Sequence, residues 1–130
     1  NYAKEGYKSR HNLKYWSGDE YLGFGLGAVG FLDNTRYENT RDIKEYLKGK
    51  LPEKIMLKKE DLISEFIITS LRKTDGFLLE DFKKRFNEDF YKLFDVSAYI
   101  EGGFMEEKNG CLFFTKKGEK VSNEILLRFV

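Results

Sequence analysis

Cysteine, histidine, proline and tryptophan each occur once in this 130-residue chain. The single cysteine, Cys111, excludes an internal disulfide. It also excludes an iron–sulfur cluster held by these residues, because such a cluster takes several thiolates at one site. A free thiol fits a reducing compartment, so a cytoplasmic location is the expectation. The lone histidine, His11, has no cysteine or close carboxylate beside it, and a closed zinc site needs four ligands. No apolar run approaches the roughly 20 residues that span a bilayer, and the first residues do not form a signal peptide. An excess of one charge is missing as well, since 23 basic residues face 22 acidic ones. No strong overall field therefore draws the chain to nucleic acid or to an anionic membrane. The chain opens on Asn1 and not on Met, which leads to the expectation of a piece cut from a longer protein.

What is present suffices for a packed core, with 41% hydrophobic residues and 12 phenylalanines. Two regions differ in character, with a boundary near Thr40. Residues 1–40 are rich in glycine and aromatics, whereas residues 41–130 carry helical periodicity. In the first region Tyr21–Leu32 is an apolar, glycine-punctuated run ended by Asp33-Asn34, which reads as a strand with close backbone neighbours. Arg36 and Tyr37 read as a short returning partner. A strand apolar on both faces belongs in a parallel or barrel sheet covered on both sides. The remaining sequence offers no other strands to form such a sheet, so enclosing protein is expected to be missing. Uncovered, the strand around Phe24–Leu32 is expected to be poorly ordered or to pair with a second copy.

In the second region, Asp42–Lys48 is a short helix closed off by Gly49 and Pro52. Leu62, Ile63, Phe66, Ile67 and Leu71 fall at helical spacing over Glu60–Arg72. After Asp75-Gly76, Leu79, Phe82 and Phe86 mark another helix, and Asn87 reads as the cap of a third that turns Phe90, Leu93, Phe94 and Ile100 inward. Phe104–Glu106 and Leu112–Phe114 flank Asn109-Gly110, the favoured turn of a two-residue hairpin. Val121, Ile125, Leu126 and Phe129 form one face of a closing helical segment. Three helices, a hairpin and a last helix give the order of a winged helix-turn-helix.

That order raises DNA binding, and the charge on the third helix and first wing strand opposes it. Residues 88–107 hold six acids, Glu88, Asp89, Asp95, Glu101, Glu106 and Glu107, against Lys92 alone. Lys and Arg contacts to phosphate supply non-specific DNA affinity, so an acidic face there favours domain packing over nucleic acid. Gly25 to Gly30 matches GxGxxG, but Phe31–Asn34 follows as strand and turn where a dinucleotide site needs a helix. Asp19 and Glu20 would point in opposite directions from an extended chain and make a poor acid–base pair. His11 sits in Ser9–Trp16 beside the only tryptophan. Its imidazole can bind haem iron through one nitrogen, or hydrogen-bond a neighbouring loop.

The run Ser9-Arg10-His11-Asn12-Leu13-Lys14-Tyr15-Trp16, followed by Tyr21-Leu22-Gly23-Phe24-Gly25-Leu26-Gly27-Ala28, resembles the oxygen-independent coproporphyrinogen III oxidase-like family of radical-SAM proteins. It is most similar to the haem-chaperone branch, HemW, marked by HNxxYW. Glu65–Arg72, Gly76-Phe77, Gly103-Phe104, Thr115-Lys116-Lys117-Gly118 and Asn123 resemble the winged-helix carboxyl-terminal domain of the same family. Members are similar in holding a 4Fe-4S cluster on a CxxxCxxC motif within a partial (β/α) barrel that binds S-adenosylmethionine.

The resemblance implies an α+β chain: residues 1–40 as the last strands and loops of a truncated radical-SAM barrel, and residues 41–130 as a winged-helix domain. It implies S-adenosylmethionine and the cluster in the full-length parent, whose cluster motif is absent here, so the fragment alone is not catalytic. Gly23, Gly25, Gly27 and Ala28 would line the cofactor side of the barrel. His11 would ligate haem iron, with Asn12, Tyr15 and Trp16 shaping the pocket, and the partner would be a tetrapyrrole. Members commonly carry a polar pair where this chain has Val29-Gly30. Two further readings are a true coproporphyrinogen III decarboxylating oxidase and a stand-alone winged-helix DNA-binding protein.

Overall fold

The computed structural model describes Lys4 and residues 6–130, with the backbone but not the side chain of His11. The chain divides into two compact units, one made of residues 1–18 with 63–130 and the other of residues 19–62.

The first unit begins with α1 (Arg10–Trp16), whose N-cap Ser9 accepts from the Asn12 N–H. It continues through the rest of α3 (Lys59–Ser70) into β4 (Phe77–Leu78) and α4 (Leu79–Phe86). The short helices α5 (Phe90–Leu93) and α6 (Ser97–Glu101) follow, then β5 (Met105–Lys108) and β6 (Cys111–Phe114). The end of the chain holds α7 (Lys116–Glu119), α8 (Ser122–Leu126) and a 3-10 turn over Leu127–Phe129.

The helical spacing in α3 puts Ile63, Phe66, Ile67 and Leu71 on one buried side. Phe66 meets Phe77, Phe82 and Phe86 from the elements that follow, and Phe82, fully enclosed, meets Phe90 in turn. The rings interlock edge to face, with Phe66 and Phe86 at 5.5 Å and Phe82 and Phe90 at 5.5 Å between centroids. Such pairs add about 0.5–1.5 kcal/mol each beyond area burial. Leu112 and Phe114 on β6 alternate inward and close the core with Met105, Ile125, Leu126 and Phe129.

The sheet order is β4-β6-β5 and both ladders are antiparallel. The Asn109-Gly110 turn is present, with positive φ at both residues (53° and 74°), as a two-residue hairpin requires. Asn87 does not start the third helix; it ends α4 in the left-handed conformation at φ 54°. Asp89 caps α5 instead, its carboxylate accepting from the Tyr91 N–H at 3.0 Å. A side chain with one carboxamide suits both ends of a helix, and sequence pattern does not distinguish them. The single third helix also divides: the chain is extended at Phe94, and Asp95, one residue before the Val96 N-cap of α6, accepts from the Ser97 N–H and hydroxyl.

The second unit is a three-stranded antiparallel sheet, β1 (Val29–Leu32), β2 (Thr35–Glu38) and β3 (Glu53–Met56), with α2 (Ile43–Leu47) between the last two. Asp33 and Asn34 form the turn, both at positive φ, and Leu32 pairs with Thr35. The returning partner at Arg36 and Tyr37 is therefore present, opposite Phe31 and Gly30. At Gly30 a Cβ would overlap the Tyr37 ring, so the close crossing admits only glycine.

The expected strand over Tyr21–Leu32 is shorter than its apolar pattern. Tyr21 bridges Phe31 by two hydrogen bonds of 2.9 Å, and the glycines turn the chain before β1 begins at Val29. The ladder is antiparallel rather than parallel, and a third strand is present in the chain. That strand, Glu-Lys-Ile-Met, is exposed throughout and half charged, which left no hydrophobic alternation to read. Between Asp19 and Leu62 only Gly30 and Phe31 are buried.

Candidate functional site

The Ser9–Trp16 segment becomes helix α1, so Asn12, Tyr15 and Trp16 fall at helical neighbour spacing. The carboxyl end of α1 is tied down from two sides. Ser70 at the end of α3 donates its hydroxyl to the Trp16 carbonyl at 3.4 Å. Arg85 donates to the Ser17 and Gly18 carbonyls at 3.4 and 2.9 Å. These contacts satisfy carbonyls that the helix itself leaves without a partner, and they place a cation where the helix dipole is negative.

The same anchoring opens a groove of about 430 Å³ beside α1. Asn12, Leu13 and Trp16 form its helix wall, and residues 72–75 of the turn after α3 face them. Lys8 and Lys116 complete the rim. Leu13 and Trp16 are half-buried and supply an apolar surface. Arg72, Lys73, Lys8 and Lys116 stand against one acid, Asp75. The groove suits a flat apolar ligand bearing negative charge.

Of the residues singled out in the sequence, the structure brings Asn12 and Trp16 to this groove. Tyr15 is 45% exposed and is not among the groove's lining residues. The His11 side chain lies outside the described residues, although its backbone is within α1. Arg72 and Lys116 lie in runs that carry the family resemblance, but nothing in the sequence joins them or Lys73 to α1, because only folding brings such distant residues together.

Gly23, Gly25, Gly27 and Ala28 belong to the second unit, in the connection before β1. The Gly23 N–H donates to the Tyr37 hydroxyl at 2.8 Å, and the Gly25 carbonyl accepts from the Asn39 carboxamide at 2.8 Å. The Gly27 N–H donates to the Thr40 carbonyl at 2.9 Å, and the Ala28 N–H to the Gly25 carbonyl at 3.2 Å. Gly25 adopts φ 108°, a conformation that favours glycine. The GxGxxG match leads into a strand and not a helix, so it forms no helix-end phosphate cradle.

Among the described residues no cluster of three or more His, Cys, Asp and Glu side chains could hold a metal ion. No helix of the described residues is long and apolar enough to cross a membrane.

The family model described as the HemN C-terminal domain matches residues 57–119. The match spans most of α3 through α7, and with it the Arg72–Asp75 wall and Lys116 of the groove. Sequence relatives extend over the segment that holds α1. The chain is 32% identical to the Heme chaperone HemW of Lactococcus lactis, covering all of this chain and 36% of that protein. It is 31% identical to the Heme chaperone HemW of Bacillus subtilis, again over the whole chain and 36% of the relative. The chain thus spans about a third of the length of these relatives. In fold it is similar to the coproporphyrinogen III oxidase HemN of Escherichia coli, described as a radical SAM enzyme. That likeness has a TM-score of 0.66 at 18% identity and covers 85% of this chain and 28% of the other.

Proposed function

We propose that this chain is the carboxyl-terminal part of a HemW-like radical-SAM protein that binds haem and hands it on, with α1 as one wall of the haem pocket. The observation that carries the reading is the groove in which the HNxxYW helix meets a cationic turn. A haem is flat and apolar across its ring and carries two carboxylates at one edge, so Trp16 and Leu13 fit the first property and the flanking cations the second. His11 is assigned as the iron ligand and Asn12 and Trp16 as residues that shape the pocket, with Tyr15, which lies on α1 outside the groove, contributing only once the rest of the full-length protein covers that face. The HemW relatives that cover the whole chain support the assignment.

The single cysteine does not fit a cluster site. The 4Fe-4S cluster and S-adenosylmethionine are assigned to the rest of the full-length protein. Residues 1–40 are assigned to the end of the barrel, with Gly23, Gly25, Gly27 and Ala28 toward its cofactor side. Support comes from the scarcity of buried residues between Asp19 and Leu62, which calls for cover from elsewhere. The same uncovered surface is a route to self-association of the isolated chain. Residues 41–130 are read as a winged-helix domain that packs within the parent; the acidic stretch 88–107 favours this use over binding DNA.

Haem titrated into the full-length protein is expected to give a shifted Soret band that His11→Ala removes. An unchanged band in the variant would reject the ligand assignment. Anaerobic conversion of coproporphyrinogen III by cluster-loaded full-length protein would favour the decarboxylating oxidase instead.

A further inference from the structure

Neutrality of the whole chain makes the local charge of the groove informative. Four of its lining residues are cations and one is an acid, although the full sequence is balanced to within a single charge. Lys116 is partly engaged already, at 3.2 Å from Glu119, with its side chain 86% exposed. Arg72 and Lys73 are the better placed pair. They are successive residues of one turn, whose backbone is fixed by the Arg72 N–H on the Thr69 carbonyl and the Lys73 N–H on the Ser70 carbonyl. Ser70 also carries the hydroxyl that donates to the Trp16 carbonyl. Ser70 therefore links the cationic turn directly to the indole wall of the groove.

We infer that Arg72 and Lys73, assisted by Lys8, form a carboxylate-reading rim that recognises the propionates of a tetrapyrrole whose ring lies against Leu13 and Trp16. The inference rests on the tetrapyrrole reading above and adds to it the class of contact that selects the ligand's acidic edge. Charge-assisted hydrogen bonds from a guanidinium suit a planar carboxylate, and an adjacent ammonium can serve the second one. Because both cations lie on one turn, they would meet carboxylates on the same edge of the ring. Recognition of this kind does not require iron, so it separates from ligation at His11.

The test uses the full-length protein with two metal-free probes, protoporphyrin IX and its dimethyl ester, each followed by porphyrin fluorescence. Wild-type protein is expected to bind the diacid more tightly than the ester. The double variant Arg72→Gln, Lys73→Gln is expected to weaken diacid binding by on the order of tenfold or more and to leave ester binding unchanged. The haem complex of the same variant should keep the wild-type Soret position. Equal wild-type affinity for diacid and ester, or an unaltered diacid affinity in the double variant, overturns the rim. A variant that loses ester binding equally shows a change of shape rather than charge and also overturns it. Carboxylate dependence that persists while His11→Ala leaves haem binding intact would sink the iron ligand and leave the rim standing. Failure of both porphyrins to bind the wild-type protein removes both readings.

Discussion

Arg85 in the last turn of α4 donates from Nη2 to the carbonyl of Gly18, at 2.9 Å, while its guanidinium carbon lies 5.3 Å from the Phe66 ring centroid. Residues 67 apart in sequence are thereby joined at the end of the HNxxYW helix. The same guanidinium is 5.6 Å from the Phe86 ring, so it is held by two aromatic faces of the core. A core rich in phenylalanine thus orients the charged group that anchors α1.

Arg85→Ala is expected to loosen α1 without unfolding the core. The lost contacts are exposed, so the expected destabilisation is only about 1 kcal/mol. Hydrogen exchange should quicken across Arg10–Gly18 and stay unchanged in β6. Equal protection of α1 in wild type and variant would show that Ser70 alone secures the helix.

Phe82→Ala removes a ring with no exposure, in contact with Phe66, Phe77, Phe86 and Phe90. Loss of about 3–5 kcal/mol is expected in urea unfolding of the first unit. A loss below about 1 kcal/mol would mean that the aromatic cluster closes over the cavity.

Gly30→Ala places a methyl group into the Tyr37 ring and should cost about 1–3 kcal/mol in the second unit. The signature is faster exchange of the β1 and β2 amides. Tyr37→Ala on the same background should recover part of the protection, since it removes the clash.

Burial, reinforced by a hydrogen bond from the phenol to Glu107, pushes the Tyr91 pKa from its ordinary 10.0 to about 12. The protonated form is favoured by folding, so its contribution is complete below pH 10 and fades as pH rises toward about 12. The difference in melting temperature between wild type and Tyr91→Phe should therefore shrink from pH 9 to pH 11.5. A difference that grows over this range would contradict the sign.

Helices and the β5–β6 hairpin were legible wherever one element carried its own signal. The spacing of Ile63, Phe66 and Ile67 specified α3, and Asn109-Gly110 specified the β5–β6 turn. The family resemblance was legible because HNxxYW is a local run, and the relatives that cover the full chain agree with it. The end of α4 and the split of the third helix were not, since an asparagine serves either cap and Asp95 restarts the chain two residues before Ser97. Likewise β3 was hidden because its pairing with Thr35–Glu38, and not its own pattern, makes it a strand.

Sequence alone determined the amphipathic faces, the turn chemistry and the presence of a lone thiol and a lone imidazole, because each depends on residue type and short-range spacing. Only the tertiary structure decided that Arg72 and Lys73 stand opposite Asn12 and Trp16. That juxtaposition depends on the Ser70 and Arg85 contacts to the end of α1, made between residues more than fifty positions apart. Such long-range contacts arise when the aromatic core packs, and no local pattern encodes them.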